Sequence, residues 1–458
     1  MLLALSLVGV LSTASTAVAS RNANPAPATG FITRRDSQLV SPGGATFRAA
    51  GVNIYWLGLD ENVGGQGESG VRYPSHFRIT DALTTVASWL PSALVRAHTV
   101  GVSTGNPLSF EPKLGVFNDT ALDCADWAIA EAERLGLRLI VPLTDNYNYY
   151  HGGYHDFTDW LGLPKSSFYT DSSAISAFRA FVQKRLDHVN PYTGRKTSDE
   201  PAIAIWETGN ELAPPADWTA SLATFIKSVD ENHLVMDGTY GIVPDHLSAC
   251  GDCDVYSDHF YPPNLSRFST GVAATAAAKR VYSIGEFGWS QGGPVQELMA
   301  ACEAAPACAQ FAPWSLFPHR DDYGFEDHND GFTIRWPGYG FASELEFVEA
   351  MHNASAVMQG QPAPAPYPAP LAPNVTAAAQ GSVAWRGAAL AATYEVQRAA
   401  AASGPWTTVS PAPGPTDLDT PYTVPGGLPS GAWVRVRGLG LASSGAPPGP
   451  WSAPVRAA

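Results

Sequence analysis

The strongest constraint on this chain is a repeated alternation. From about residue 45 to residue 355, short apolar runs are mostly followed by amphipathic stretches of helical length. FRAAGVNIYW (47–56), SALVRAHT (92–99), RLIVPL (138–143), AIAIWE (202–207), HLVMDG (233–238), DVYSDHF (254–260), VYSIGEF (281–287) and CAQFAPWSLF (308–317) read as strands. ITDALTTVASWL (79–90), ALDCADWAIAEAERLG (121–136), SSAISAFRAFVQKRLDHV (172–189), DWTASLATFIKSVD (217–230), STGVAATAAAKR (269–280), PVQELMAACEAA (294–305) and SELEFVEAMHN (343–353) read as helices. The strands are unbroken apolar runs rather than alternators, as expected when both faces are buried. Eight such units in about 320 residues predict an α/β fold, a (β/α)8 barrel. A doubly wound open sheet fits less well, because no G-x-G-x-x-G follows the first strand.

The flanking segments differ in character. Residues 1–20 carry no charged side chain and run from MLLALSLVGVL to small residues ending in AVAS, the pattern of a secretory signal peptide. The expected localisation is therefore extracellular. No later stretch reaches the ~18 uninterrupted apolar residues of a membrane span. After a short polar lead-in the barrel is expected over 28–355. ASAVMQGQPAPAPYPAPLAP predicts an extended Pro/Ala-rich linker over 356–371. Beyond it, SVAWRG, ATYEVQRA, PWTTVSP, PYTVPG, AWVRVRGLG and GPWSAPVRA predict a small β-sandwich over 372–458.

Composition narrows the partners. The net charge of −15 disfavours nucleic acid, whose phosphates call for basic surface. It equally disfavours attachment to an anionic membrane surface. A neutral polymer or small molecule is the expected partner, and the chain is expected to act as a monomer. The five cysteines suggest local disulfides within CGDC (250–253) and CEAAPAC (302–308), with Cys124 left as a buried thiol on a helix. A zinc site built on CGDC lacks a matching second pair. No cofactor or metal is expected. Sequons at Asn118, Asn264, Asn353 and Asn374 fit glycosylation.

Chemistry in such barrels stands at the carboxyl ends of the strands. Here those ends carry Asn53 and Tyr55; Arg96 and His98; Asp145, Asn146 and Tyr147; Asn210 and Glu211; His259 and Tyr261; Glu286; and Trp314. VRAHT, IWETGNEL, DHFYP, SIGEFGW and PWSLF resemble the strand-end motifs of glycoside hydrolase family 5, within the wider clan of barrels with catalytic glutamates on strands four and seven. The long stretch from FYTDSSAISAF to IWETGNEL, and DNYNYYHGGY, are similar to endo-β-1,4-mannanases. The chain departs from mannanases at Gly209, where they usually carry Ala. It departs again at Leu212 and Ala213, where Pro then Arg is usual. These departures bear on substrate more than on chemistry. YEVQRAAAASGPWTTV, WVRVRGLG and GPWSAPV resemble a fibronectin type III module, expected as a spacer or protein-contact unit.

The resemblance implies a retaining β-glycosidase with Glu211 as acid/base and Glu286 as nucleophile. Such enzymes hold two carboxyls ~5 Å apart, one protonated and one ionised. Arg96, with hydrogen bonds from His259 and Tyr261, is expected to keep Glu286 ionised. Asn210 is expected to bond the sugar 2-hydroxyl, and Trp314 to offer a face to a pyranose ring. His98 and Asn146 complete the expected substrate-binding set. Glu207 reads as a structural partner of an arginine. Asp322, Glu326 and His328 in DDYGFEDHNDG (321–331) read as cleft edge or solvated loop, since their spacing does not follow the calcium-loop pattern. The substrate implied is β-mannan first and β-glucan second. Competing functions are a wall transglycosylase using the same residues, a noncatalytic carbohydrate-binding barrel, and a metal-dependent hydrolase.

Overall fold

A computed structural model describes residues 27–61, 70–290, 294–328, 330–339, 342–379 and 381–458. The proposed signal peptide lies outside the described residues.

Eight parallel strands close into a barrel. In order they are Ala49–Asn53, Leu94–Arg96, Arg138–Pro142, Ile203–Glu207, Leu234–Asp237, Val255–Phe260, Val281–Gly288 and Cys308–Trp314. Each pairs in parallel with its neighbours, and the eighth closes on the first through Gln310 opposite Ala49. Nearly every strand residue is buried, which explains the unbroken apolar runs. Helices fill the outer ring, among them His76–Trp89, Asp123–Arg134, Ser172–Asp187, Ala216–Val229, Leu265–Ala277, Val295–Ala304 and Ala342–Met358. Their apolar stripes bury against the strands: Ile79, Leu83 and Val86 recur at helical spacing and are wholly inaccessible. Side-chain caps fix two helix starts. Ser75 accepts from the Arg78 amide, and Asp171 from the amides of Ser173 and Ala174.

All eight expected strands form, with ends shifted by a few residues. Other elements were not expected. Residues 33–47 form a three-stranded antiparallel sheet. Its Leu39, with the preceding Ile32, joins Leu94, Leu234, Val255 and Val281 at the amino ends of the strands in one apolar cluster, so the sheet plugs that end of the barrel. Short helices at His98–Gly101, Tyr154–Trp160 and Pro244–Ala249 are too brief to show a helical period.

The chain ends in two antiparallel sheets. One orders Asn374–Ala379, Ser382–Arg386 and Tyr422–Thr423. The other orders Thr407–Thr408, Thr393–Ala399, Trp433–Leu439 and Val455–Arg456. Trp385, Tyr394, Val396, Val434 and Val436 form their shared core. Strand Asn374–Ala379 escaped notice because Asn and Ala are poor strand formers. The segment expected as a linker is less free than its composition suggested. The preceding helix runs to Met358, and Tyr367 stacks on His352 with ring centroids 4.3 Å apart. Trp406 and Trp451 flank the Arg435 guanidinium at 4.4 and 4.3 Å, so those faces are occupied by a cation rather than open to sugar. Disulfides join Cys250 to Cys253 and Cys302 to Cys308, and Cys124 is free and buried.

Candidate active site

Arg96 is the hub of the carboxyl end of the barrel. It leaves the second strand fully buried and reaches across the barrel mouth to the ends of the fourth and seventh strands. Its Nε and Nη2 donate to the two oxygens of Glu207 at 2.7 and 2.8 Å. This is the bidentate fork that guanidinium geometry favours. Nη2 also donates to Asn210 Oδ1 at 2.9 Å, and Nη1 donates to Glu286. Burial alone would lower the Arg96 pKa, but Glu207 and Glu286 outweigh it and hold the group raised and charged. Glu207 is thus the structural partner of an arginine, and the arginine is Arg96. A buried cation needs such partners, because an unpaired charge there costs several kcal/mol; this answers why the strand ending in IWE carries a carboxylate into the core.

Glu286 is buried on the seventh strand and receives Arg96 on one oxygen and the Tyr261 hydroxyl on the other at 2.9 Å. The Tyr261 phenol is pushed well up by burial and by Glu286, so it stays protonated and donates. His98 stands 3.8 Å from the same carboxylate and 3.2 Å from Arg96. Burial and the Arg96 charge push its pKa well down, which makes it neutral.

Glu211 lies opposite. His259 Nδ1 is 2.7 Å from one of its oxygens, and the Tyr147 hydroxyl donates to the other at 2.7 Å. Glu211 has φ of +51°, a left-handed conformation that costs a non-glycine residue about 1–3 kcal/mol. The turn is fixed on both sides: the Asn210 amide donates to Thr144, and the Leu212 amide to Gly238. The backbones crowd here, since a Cβ on Gly238 would lie 1.8 Å from the Gly209 carbonyl oxygen. Oxygens of Glu211 and Glu286 and a nitrogen of His259 all lie within 4.8 Å of one another. Such proximity is compatible with the short carboxyl separation of retaining glycosidases, ~5–5.5 Å.

The two carboxyls do not share charge evenly. Burial pushes Glu211 up, but His259, Tyr147 and Arg96 outweigh it and leave it below its ordinary value. Burial also pushes Glu286 up; His259 and Arg96 oppose this without cancelling it, and it stays above its ordinary value. The cluster of Glu211, Glu286 and His259 has the spacing of a metal site, but the Arg96 guanidinium against Glu286 already supplies the cation. A second such cluster, His76, Asp123 and Cys124, offers no ready thiolate: burial, with Asp123 beside it, pushes the Cys124 thiol up to about 12.

A cleft of about 370 Å³ opens above the pair, within the usual range for small-molecule sites. Trp314 forms one wall, stacked on Tyr55 at 5.1 Å with its indole nitrogen donating to Asp330 at 2.8 Å. Tyr147, Tyr149 and Tyr240, all more than a third exposed, line the cleft. His328 lies at its edge; burial would lower its pKa, but Asp330 and Glu61 raise it to about 9.

Of the expected residues, Arg96, His98, Asn210, Glu211, His259, Tyr261, Glu286 and Trp314 come together here, but His259 bonds Glu211 at 2.7 Å rather than Glu286, which is 3.7 Å away. Asn146 differs. It is half-buried and meets the site through its backbone, with its amide donating to Asn210 and its carbonyl bonded to His155. Its neighbours take the positions expected of it: Asp145 accepts from the Asn210 side chain at 3.1 Å, and Tyr147 reaches Glu211. Asn210 spends its oxygen on Arg96 and one N–H on Asp145, its side chain also meets His98, and it lines the cleft. Glu326 is not a solvated loop residue; it is buried 3.6 Å from Arg320 and 3.9 Å from Arg78. The Tyr147 contact lacked a sequence signal, because an aromatic loop after strand three is equally compatible with simple packing.

Residues 31–252 match the family model described as GH family 5 beta-mannosidase-like. The match contains Arg96, Asn210 and Glu211 and stops before His259, Tyr261, Glu286 and Trp314. Mannan endo-1,4-beta-mannosidase 3 of Arabidopsis thaliana is 30% identical over 47% of this chain and 52% of its own. Mannan endo-1,4-beta-mannosidase 4 of Oryza sativa subsp. japonica is 30% identical over 47% of each chain. The chain thus spans about half the length of the curated relatives it matches. Among solved structures, the endo-β-1,4-mannanase from Thermotoga petrophila superposes with a TM-score of 0.58 at 17% identity, over 91% of this chain and 99% of that one. The endo-1,4-β-mannanase from Rhizomucor miehei gives 0.57 at 21% identity, over 70% and 99%. These two show likeness of fold. Over residues 31–252 the chain is thus similar to glycoside hydrolase family 5 of the mannosidase and endo-β-1,4-mannanase-like type, and the barrel with its strand-end carboxyl pair is consistent with that likeness.

Proposed function

We propose that this protein is a secreted retaining β-glycosidase that hydrolyses β-1,4-mannan. The observation that carries the reading is the buried pair Glu211 and Glu286, with oxygens less than 5 Å apart beneath an aromatic cleft. Glu286 attacks the anomeric carbon while Glu211 protonates the departing oxygen, and the bond to Glu286 replaces the glycosidic bond. Glu211 then takes a proton from water, which displaces Glu286 with a second inversion. Arg96 and Tyr261 hold the Glu286 oxygens in line, and Asn210 lines the cleft beside them.

This chemistry needs the proton on Glu211. A bound sugar covers Glu211 and removes water from it, which disfavours its charged form. His259 Nδ1 lies 2.7 Å from Glu211 and 3.7 Å from Glu286, between the two carboxyls. Mannan is favoured over glucan because the named relatives act on mannan. Secretion is supported by the charge-free apolar start and by two disulfides, which persist in oxidising compartments. Reducing-end release from soluble β-mannan and soluble β-glucan tests the substrate. Release from mannan alone is expected; release from glucan alone would keep the chemistry and overturn the substrate.

Tyr147 gives a separate check. Its hydroxyl favours ionised Glu211, so Tyr147→Phe raises the pKa of the general acid. The acid then stays protonated to higher pH, and the basic limb of the kcat/KM profile moves up. An unmoved basic limb would separate Tyr147 from the acid.

A further inference from the structure

The loop after the eighth strand has two faces. One lines the cleft, through His328 and through Asp330, which accepts from Trp314. The other is covered by the C-terminal sheets. There His319, only 3% exposed, sits between two carboxylates from different parts of the chain. Its Nδ1 is 2.8 Å from Asp81, on helix His76–Trp89, and its Nε2 is 3.1 Å from Asp417 of the C-terminal sheets. Burial would lower the imidazole pKa, but Asp81 and Asp417 raise it to about 10, so both nitrogens donate at neutral pH. Asp417 is itself tied into the sheets, where it accepts from the Tyr394 hydroxyl at 2.9 Å.

The surrounding contacts make this a fitted surface. A Cβ on Gly387 would lie 2.1 Å from the His319 ring, so only glycine lets the sheet approach. Arg386 stands 3.8 Å over the ring of Phe77 on the same barrel helix. Within the loop, Phe325 stacks on His319 at 4.2 Å, and the Glu326 amide donates to Pro318. A short packed path thus runs from Asp417 through His319 and Phe325 toward the cleft edge at His328.

We propose that the C-terminal sheets brace the cleft: docked through Asp417 and Arg386, they hold the loop that positions Trp314 and His328. Asp417 is then a positioning residue acting through His319. This makes the sheets part of the working unit rather than a tethered spacer.

Hydrogen exchange on the full chain tests this without relying on catalysis. In Asp417→Ala combined with Arg386→Ala, the Arg320 and Glu326 amides should exchange at least about tenfold faster, while the buried strand Ile203–Glu207 keeps its rates. Loop amides within about twofold of the unaltered protein would overturn the brace. Should the double variant not fold, Arg386→Ala alone keeps Asp417 in place; it should quicken the loop about threefold, and unchanged rates would again overturn the idea. A second arm rests on the hydrolase reading: KM for β-mannan rises several-fold in Asp417→Ala and recovers in Asp417→Asn, which still accepts a hydrogen bond. No recovery in Asp417→Asn would reduce Asp417 to fold maintenance. An inactive parent protein would sink the hydrolase reading while leaving the exchange result to decide the brace.

Discussion

Glu286→Ala is expected to lower kcat on β-mannan by at least about 10⁴-fold, because it removes the atom that bonds the sugar. Stability should suffer little by comparison. Arg96 loses one carboxylate but keeps the bidentate bond to Glu207, so no buried cation is stranded. The alanine also opens space beneath the anomeric carbon. A small anion such as azide, with an activated aryl mannoside, should enter that space and give the α-glycosyl azide. Steady-state rates with the product's anomeric configuration check this. Full activity in the variant would remove Glu286 from the reaction.

Glu211→Ala should behave differently, and the difference separates the two roles. Loss of a general acid costs about 10²–10⁴-fold where the leaving group needs a proton. Mannan, with a sugar leaving group, should show a loss near the upper end. An aryl mannoside with an acidic phenol needs little help, so its first step should be nearly spared and glycosyl-enzyme should accumulate. A pre-steady-state burst of phenol would show this. The basic limb of the pH profile should also vanish, because the group whose deprotonation produces it is gone. Azide, attacking from the face Glu211 occupied, should restore turnover and give the β-azide. Equal losses on mannan and the aryl mannoside would contradict an acid/base role.

Much of this arrangement was legible in the chain. The barrel strands announced themselves because burial on both faces leaves unbroken apolar runs such as RLIVP and AIAIW. The strand-end groups followed from that register, since the residue after each run must stand at the rim. The sequence places the Glu207 carboxylate in the core, but its cation, Arg96, lies 111 residues away and meets it only in the fold. What escaped notice depended on contacts between distant segments. Asn146 and Tyr147 are adjacent, and no period distinguishes the one that turns to Glu211 from the one that serves through its backbone. Asp330 meets Trp314 from a loop with no regular pattern. The docking of Asp417 on His319 joins residues 98 apart. The Pro/Ala-rich composition between them suggested a tether, yet Tyr367 within it is packed on His352.

The most direct measurement is the configuration of the first product. Proton NMR during early hydrolysis of a β-mannan oligosaccharide resolves the α and β reducing ends before mutarotation mixes them. With Glu211 and Glu286 oxygens within 4.8 Å, two successive displacements should release the β-anomer first. Initial release of the α-anomer would mean a single displacement by water, and the assignment of Glu286 as nucleophile would fall.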